Sequence, residues 1–458
     1  MTDNVSVEIV STRNERQAQE GFAKVLRFRD LVTYGLVYIA PIAPWGTFAY
    51  VHSLSHGAVV LAYLAGLLCM VFTASSYKEM ANVTEGAGST YAYARNALGK
   101  RAGFLAGWMI LLDYLLIPAL MYVFAAVAMH ALVPDVPRSI WVLGFAAFAL
   151  LANWFGIAFT ARLNGLFLIV QLVAVAGLMG WAMVHQGLLA SFPADAILPR
   201  SFDGAGLFAA ASICIMAFLG FDAITTLSQE VRTDQRHLLG RSILAVLAII
   251  GVIAIVQVWV MAGLAKGYSF ADLASGGYDL VTARVSPVAG SLMAWVAAII
   301  TGLAITPPML SAVSRVLQAM AAAGELPQPL SRIEGKSGVP RTALIFASGV
   351  SICVALLFAA DPEKLTSLVN FGALAGYAFV NISVIALFGI RSKSRTLVAH
   401  YLFPACGFLV IALVAANMSE TAMITGLAWF ALGCILLWRL RHVAKDRGSS
   451  PVDSEALS

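Results

Sequence analysis

Two aspartates inside long apolar stretches of this 458-residue chain have the side chains best suited to bind a charged molecule. Asp113 lies in W-M-I-L-L-D-Y at 108–114, and Asp222 ends A-F-L-G-F-D at 217–222. An acid deep in a bilayer costs roughly 2.5–3.5 kcal/mol on insertion scales, so it normally faces a cavity or a partner and marks a substrate or ion route. No Lys, Arg or His at that depth is an obvious partner for either acid, which favours a cationic ligand.

Each acid also has a structural interpretation. Asp113 could be hydrogen-bonded to a neighbouring helix. Asp222 could cap a helix that reforms after Gly220, where the helix dipole favours a negative charge. In the functional interpretation, Asp222 binds substrate or carries a proton, because burial makes its charged form costly. The cap and the proton carrier are compatible roles.

Aromatic residues accompany both acids. Tyr114 directly follows the first acid, and Phe218 and Phe221 flank Gly220. An aromatic ring face attracts an ammonium group by about 0.5–2 kcal/mol. We therefore count these rings, together with Trp295, as candidate substrate-binding residues. The alternative for each ring is a packing or gating role.

A charged pair, Lys78 and Glu79, closes the second apolar stretch. Its first interpretation is a pair of anchors at the membrane interface. The second is an inner gate, in which Glu79 would join Asp222 as a candidate for proton coupling.

Metal and cofactor chemistry finds little support in the sequence. The five cysteines all lie inside apolar stretches, and no pair of them has metal-ligand spacing. His52 and His56 are four residues apart, but they straddle a loop. A membrane-embedded enzyme would need a nucleophile–base pair or a metal cluster, so we expect a non-enzyme without cofactors. A passive channel or nutrient receptor stays open, and it would differ from a carrier by lacking trans-stimulation.

The elements that must position these residues are apolar and numerous. The chain is 60% hydrophobic and only 12% charged, whereas soluble domains carry about 25% charged residues. A membrane-spanning helix needs about 20 apolar residues. The sequence predicts an all-α membrane protein with twelve transmembrane helices, at 28–52, 57–80, 101–131, 138–155, 160–184, 204–229, 241–264, 284–320, 341–360, 364–389, 399–417 and 420–440. The third and eighth are long enough to tilt or to extend beyond the bilayer.

The basic residues are unevenly distributed over the connections. If the N-terminus is cytoplasmic, the outer side holds five of the 29 Lys and Arg residues and the inner side holds the other 24. This positive-inside bias predicts an even number of spans in a bacterial inner membrane, with both termini cytoplasmic. It also argues against a nucleic-acid partner as the reason for the net charge of +5. Residues 1–26 and 441–458 are predicted to be cytosolic tails, and the first lacks the apolar core of a signal peptide.

Two of the predicted spans are interrupted. The first contains A-P-I-A-P-W-G at 40–46, where Pro41 and Pro44 each remove a backbone donor and obstruct a straight helix. The sixth can unwind at Gly220. Because the interruptions are five spans apart, the second half would repeat the first with inverted orientation. Broken helices at corresponding positions of inverted repeats indicate a transporter site near the middle of the membrane.

Several longer motifs resemble those of the amino acid–polyamine–organocation transporters, and the putrescine-importer branch in particular. They are S-Y-K-E-M and T-E-G-A-G-S-T-Y-A-Y within 76–93, A-F-L-G-F-D-A-I-T-T-L-S-Q-E at 217–230, S-R-V-L-Q-A-M-A-A-A-G-E-L-P at 314–327 and V-N-F-G-A-L at 369–374. The resemblance implies a five-plus-five inverted-repeat core at 27–390, with discontinuous helices 1 and 6, and two peripheral helices at 391–440. The substrate site that it implies contains Ile42, Ala43, Asp113, Tyr114, Phe218, Gly220 and Asp222.

The resemblance also implies a function. We expect a secondary active transporter that imports an organic cation, with a polyamine such as putrescine as the leading substrate and the proton as the coupling ion. Its partners would be that small molecule, the proton and the lipid bilayer. The alternative is an amino-acid permease or exchanger of the same family. The prolines of A-P-I-A-P-W-G replace the Gly-Ser-Gly type of turn that holds a substrate carboxylate in amino-acid members, which favours an amine.

Overall fold

Helices make up almost all of the chain that the structure describes. In this computed structural model, the described residues are 26–84, 90–133, 135–155, 157–185, 204–232, 235, 237–271, 273, 276–333, 339–358, 362–416, 418 and 420–446. The α-helices are α1 (Phe28–Ile39), α2 (Pro44–Leu54), α3 (Val59–Val83), α4 (Thr90–Leu98), α5 (Lys100–Leu132), α6 (Arg138–Trp154), α7 (Ile157–His185), α8 (Gly204–Met216), α9 (His237–Leu264), α10 (Gly276–Arg284), α11 (Pro287–Ile299), α12 (Thr306–Ala322), α13 (Arg341–Leu357), α14 (Pro362–Val384), α15 (Phe403–Ala416) and α16 (Glu420–Asp446).

Shorter helical segments of other types join or follow these helices. Phe221–Glu230 and Gln328–Ser331 form 3₁₀ helices, and π-helical segments occur at Ile300–Ile305, Ile385–Arg391 and Val398–Leu402. The segment Ile300–Ile305 connects α11 to α12, so these two form one continuous helical span.

Many of these helices are long and apolar enough to cross a membrane. Within the described residues, seven meet this criterion, and the bent pair α1 and α2 would be an eighth span. Four shorter apolar helices lie at Arg138–Trp154, Gly206–Ile215, Arg341–Leu357 and Met423–Arg439. α5 has 33 residues and is about 50 Å long at 1.5 Å per residue, well beyond the ~30 Å hydrocarbon core. The protein is therefore helical and crosses the membrane several times.

The first break separates α1 from α2. Ala40 has φ = 60°, a left-handed conformation that is unusual for a residue with a side chain, and residues 41–43 form a turn. Pro44 then occupies the first position of α2, where its missing N–H costs nothing. The two helices meet at a bend of 54°. The prolines thus interrupt the helix where the sequence predicts an interruption.

The second break follows α8. The chain leaves the helix at Met216, turns through 217–220 and continues as the 3₁₀ helix Phe221–Glu230. Gly220 has φ = 109°, and the ring of Tyr38 lies where a side chain at Gly220 would be. Glycine is required here both for the backbone conformation and for the close approach of the tyrosine.

Several helix boundaries differ from the sequence prediction by a few residues, among them the start of the eighth span and the end of the last. The predicted eighth span began at 284, but Arg284 ends the separate short helix α10, and α11 begins at Pro287. The hydroxyl of Ser286 accepts a hydrogen bond from the amide of Ala289 (3.1 Å) and caps α11. A serine cap followed by proline is a strong start signal that the apolar pattern alone did not show. α16 continues to Asp446, six residues beyond the predicted end of the last span.

The helices that carry the two acids pack closely against their neighbours. α5 lies along α14, and α1 contacts the 3₁₀ helix Phe221–Glu230. A glycine, Gly372, allows α14 to approach the backbone amide of Asp113 so closely that a Cβ would lie 2.5 Å from it. This contact brings together two helices, α5 and α14, that are distant in the chain.

Candidate functional site

The carboxylate of Asp222 is held by two tyrosine hydroxyls. The hydroxyl of Tyr114 on α5 donates a hydrogen bond to Oδ2 (2.5 Å), and the hydroxyl of Tyr377 on α14 donates one to Oδ1 (2.9 Å). Asp222 is only 1% exposed and lies in the first turn of the 3₁₀ helix. Hydrogen bonds to an ionised carboxylate are short and about twice as strong as neutral ones. The second break is therefore fixed to two other helices through one acid.

Asp113 has a different environment. It is 6% exposed and lies near enough to Asp222 for the two carboxylates to interact electrostatically. Its Oδ1 atom has no hydrogen-bond partner among the described residues. A buried acceptor without a partner is costly, because it has lost its hydration without replacement. Asp113 Oδ1 therefore keeps its capacity to accept a hydrogen bond.

Tyr38 lies between the two breaks and was not among the residues singled out from the sequence. Its ring packs on Gly220, and its hydroxyl interacts electrostatically with both Asp113 and Asp222. The residue is 3% exposed, and within the described ranges its hydroxyl has no hydrogen-bond partner. The signal that could have revealed it is its position, since Tyr38 precedes the first break by two residues.

The candidate phenylalanines are packed among other aromatic rings. Phe221 stacks on Tyr377 with 5.5 Å between ring centroids and meets the edge of Tyr77 at the same separation. Phe218 makes an edge contact with Tyr63 at 6.2 Å. Both phenylalanines are fully buried. They form apolar walls beside the second break, which lowers the local dielectric around the acids.

The first break is held by a glutamine from α9. The Gln257 Nε2 donates to the carbonyl oxygen of Pro41 (2.8 Å), and its Oε1 accepts from the indole Nε1 of Trp45 (2.8 Å). Ile42, which is buried, and Ala43, which is half-buried, lie within the segment that these bonds enclose. Gln257 was also missed, although an isolated amide in A-I-V-Q-V-W-V at 254–260 was a visible signal.

Two candidate residues do not join this group. Trp295 is half-buried on α11, and in the described part of the chain it makes no hydrogen bond to either acid. Glu79 forms an ion pair with Lys78 (3.3 Å) near the end of α3, and its carboxylate lies 3.6 Å from His400 Nε2. Its role in proton coupling stays a prediction.

One buried ion pair lies at the far end of the 3₁₀ helix. Arg315 Nη2 is 2.5 Å from Glu230 Oε1, and Arg315 Nε donates to the same oxygen (2.7 Å). Glu230 follows Asp222 by eight positions of the 3₁₀ helix, which corresponds to about 16 Å at 2.0 Å per residue. The guanidinium of Arg315 therefore pairs with Glu230 and does not neutralise Asp113 or Asp222.

The arrangement consists of two buried acids, one of them fully hydrogen-bonded, between two interrupted membrane helices. Residues 43–431 match a family model described as "Amino acid permease". The chain belongs to the amino acid permease family.

Individual relatives agree with this assignment. The permease is 31% identical over 425 residues to the low-affinity putrescine importer PlaP of Escherichia coli K12, covering 90% of this chain and 93% of the relative. It is 26% identical over 418 residues to the branched-chain amino acid permease BcaP of Bacillus subtilis, covering 84% and 86%. It is 27% identical to the vacuolar cationic amino acid transporter 2 of Arabidopsis thaliana, covering 82% of this chain and 62% of that protein.

Family membership confirms the resemblance seen in the motifs, including the likeness to a putrescine importer. The relatives named above are transporters, and the permease has their multi-pass helical character. The permease is thus a membrane transport protein for small molecules of the amino acid and polyamine kind.

Proposed function

We propose that the permease is a secondary active transporter that imports an organic cation, with a diamine such as putrescine as its leading substrate and the proton as its coupling ion. The observation that carries this proposal is the buried Oδ1 of Asp113, which has no hydrogen-bond partner within the described ranges, beside the hydrogen-bonded Asp222. The two buried carboxylates interact electrostatically, and an ammonium group would relieve their repulsion. The named function of the putrescine importer supports the same substrate class.

The substrate ammonium is assigned to Asp113. An ammonium has three N–H donors and no acceptor, so it needs several oxygen atoms around it. Asp113 Oδ1 and the hydroxyl of Tyr38 are both buried, and in the described part of the chain both lack a hydrogen-bond partner. Together they offer two such atoms, and the aromatic rings near the second break supply apolar surface for the carbon chain.

The coupling proton is assigned to Asp222. Arrival of an ammonium beside a protonated acid favours release of the proton, so substrate and proton on one carboxylate would exchange rather than travel together. Symport needs two separate acids, and the two environments supply them. Movement of the second break relative to α5 and α14 would change how many hydrogen bonds Asp222 accepts from tyrosine hydroxyls. Its affinity for a proton would change as a result.

An amino-acid substrate is the alternative, and the first break does not favour it. A substrate carboxylate needs free backbone N–H groups, whereas the amides of Ala43, Trp45 and Gly46 already donate to the carbonyls of residues 40, 42 and 43. Pro41 and Pro44 have no N–H to offer. This local pairing supports a substrate without an α-carboxylate.

The proposed membrane arrangement has twelve spans and two cytoplasmic termini. The eight longer spans and the four shorter apolar helices together would make this number. The two breaks would then lie in the first and sixth spans, as in a five-plus-five inverted repeat. The excess of basic residues in the inner connections supports the orientation.

The proposal is tested with purified protein in proteoliposomes that contain unlabelled putrescine. Labelled putrescine should accumulate transiently by counterflow, which a channel does not show. Asp113→Asn should abolish this uptake and also the rise in melting temperature that putrescine causes by binding the folded state. The matched control is Asp135→Asn, at an exposed residue in the connection after α5. Wild-type uptake by Asp113→Asn, or counterflow of branched-chain amino acids and not of putrescine, would overturn the proposal.

A further inference from the structure

The amide of Gln257 joins α9 to the turn of the first break and to α2. Gln257 is fully buried on α9. Its Nε2 group donates to the carbonyl of Pro41 at 2.8 Å and, within its own helix, to the carbonyl of Ile253 at 3.2 Å. Its Oε1 accepts from the indole of Trp45 on α2 at 2.8 Å. The side chain therefore donates one hydrogen bond to the break and accepts one from it.

We infer that Gln257 is a positioning residue, which holds the first break in the bent form that the substrate site needs. In a continuous helix the carbonyl of Pro41 would receive the amide of Trp45, four residues on. Here that amide turns to the carbonyl of Ile42 at 3.1 Å instead. Gln257 supplies the donor that the break removes, so the buried carbonyl of Pro41 stays hydrogen-bonded.

The backbone next to this contact is strained. Ala40 has φ = 60°, which a residue with a Cβ adopts only when the surrounding structure imposes it. The two residues that Gln257 contacts, Pro41 and Trp45, directly follow Ala40 in the break. Without the amide of Gln257, the segment 40–43 would lose the donor that opposes its return to a straighter helix.

Trp45 extends the effect of Gln257 to the outer end of the protein. The carbonyl of Trp45 lies against Gly277 of α10 so closely that no Cβ fits between them, and Gly276 makes a similar contact with Ala49. The short helix α10 is therefore seated on α2 by two glycines. The bond between Gln257 and Trp45 fixes this seated pair to α9.

The break also positions the residues at the acids. Tyr38 lies three residues before Pro41, and its ring is the surface against which Gly220 of the second break packs. A rotation of segment 40–43 would displace Tyr38 from Gly220 and change its distance to both acids. Gln257 thus acts on the site through Tyr38, and in the residues described its own side chain makes no hydrogen bond to either acid.

A glutamate at this position makes the inference testable by pH. A protonated glutamate can donate its O–H to Pro41 and accept from Trp45 with its other oxygen, as the amide does. An ionised glutamate has only acceptors, so it would face the carbonyl of Pro41 without a donor. Gln257→Glu should therefore resemble the wild type in acid and bind substrate more weakly in base, while Gln257→Met should bind it more weakly at every pH.

The first measurement uses no substrate. Hydrogen–deuterium exchange of the detergent-purified protein should show faster exchange in the peptide spanning 38–50 for Gln257→Met than for the wild type. The matched control is Gln318→Met, which removes another buried amide that donates to a backbone carbonyl, that of Ser331 at 3.2 Å. Gln318→Met should leave the peptide 38–50 unchanged. Unchanged exchange of that peptide in Gln257→Met would overturn the inference, whatever the substrate proves to be.

The second measurement is putrescine counterflow at equal pH on both sides of the proteoliposome membrane. At about pH 5.5, Gln257→Glu should resemble the wild type. At about pH 9.5, above the pKa of about 8–9 that burial gives a glutamate, its apparent KM should be about five- to tenfold higher, the factor expected for losing one hydrogen bond of typical net strength. Each apparent KM is divided by the wild-type value at the same pH. This ratio cancels the effect of pH on Asp113 and Asp222, which is common to both proteins. Gln318→Glu should keep a ratio near one, and equal ratios for Gln257→Glu at both pH values would contradict the inference.

Discussion

The hydroxyl of Tyr114 and the carboxylate of Asp222 are 2.5 Å apart, although 108 positions separate them in the chain. This hydrogen bond joins the middle of a long continuous helix to the interruption of another. A continuous helix is a rigid support, whereas an interrupted one can change its angle at the break. The bond therefore connects a fixed element to a movable one at the residue assigned to carry the proton.

Asp222→Asn should uncouple transport from the proton. The amide keeps the size of the side chain but cannot be ionised, so it cannot bind and release a proton. Putrescine uptake into proteoliposomes should lose its response to an imposed pH gradient at fixed membrane potential, while putrescine exchange persists. Uptake that depends on sodium and ignores the pH gradient in the wild-type protein would refute the assignment.

Tyr38→Phe should weaken substrate binding without unfolding the protein. The ring stays on Gly220, but one oxygen for the ammonium is lost, which corresponds to about 1 kcal/mol and a five- to tenfold increase in KM. The control is Tyr122→Phe, because Tyr122 is also fully buried and its hydroxyl has no hydrogen-bond partner among the described residues. Titration calorimetry with putrescine should separate the two variants. Equal putrescine affinities of the two variants would show that the hydroxyl of Tyr38 does not bind the substrate.

Arg315→Met should destabilise the protein strongly. It leaves the carboxylate of Glu230 buried without its guanidinium, and removal of one partner from a buried ion pair costs about 3–5 kcal/mol. The melting temperature in detergent should fall clearly. The double variant Glu230→Gln/Arg315→Met should recover part of the loss, because it removes the uncompensated charge. A double variant less stable than Arg315→Met would show that the ion pair is not the source of the effect.

Stability should depend on pH through Glu325, which lies beyond the end of α12. Burial raises the pKa of Glu325 from 4.5 to about 7, and the guanidinium of Arg95, at 3.4 Å, partly opposes this. Because the folded state then binds the proton more tightly than the unfolded state, this contribution to stability is complete below pH 4.5 and is lost as the pH rises through 7.

The change Glu325→Gln should reduce the dependence of the melting temperature on pH between these two pH values. Glu420→Gln, at an exposed residue that begins α16, provides the control and should leave the slope as it is in the wild type. A wild-type slope that survives in Glu325→Gln would assign the pH dependence to another group.

The proposed topology predicts the results of reporter fusions. A fusion at position 195 should report the outer side of the membrane, and one after position 445 should report the cytoplasm. The reason is the distribution of basic residues, with five outside and 24 inside. The same side for both fusions would contradict the twelve-span arrangement.

Local chemistry made several features predictable from the sequence. Asp113 and Asp222 are conspicuous because an acid in an apolar stretch is costly. Pro41, Pro44 and Gly220 mark the two breaks because their backbone constraints act within one turn of the chain. The boundary at Pro287 was missed by a few residues, since hydropathy continues across it while the cap at Ser286 is a short, local signal.

The partners of these residues were decided by the tertiary structure alone. Tyr377 reaches Asp222 from 155 positions away, and Gln257 reaches Pro41 from 216. Tyr114 faces the acid, whereas Trp108 on the same helix stacks on Trp429 of α16 at 4.4 Å. In a membrane protein both the lipid-facing and the core-facing sides of a helix are apolar, so hydropathy does not record how a helix is rotated. The sequence therefore determined which residues are costly to bury, and only the packing of helices distant in the chain decided which side chains satisfy them.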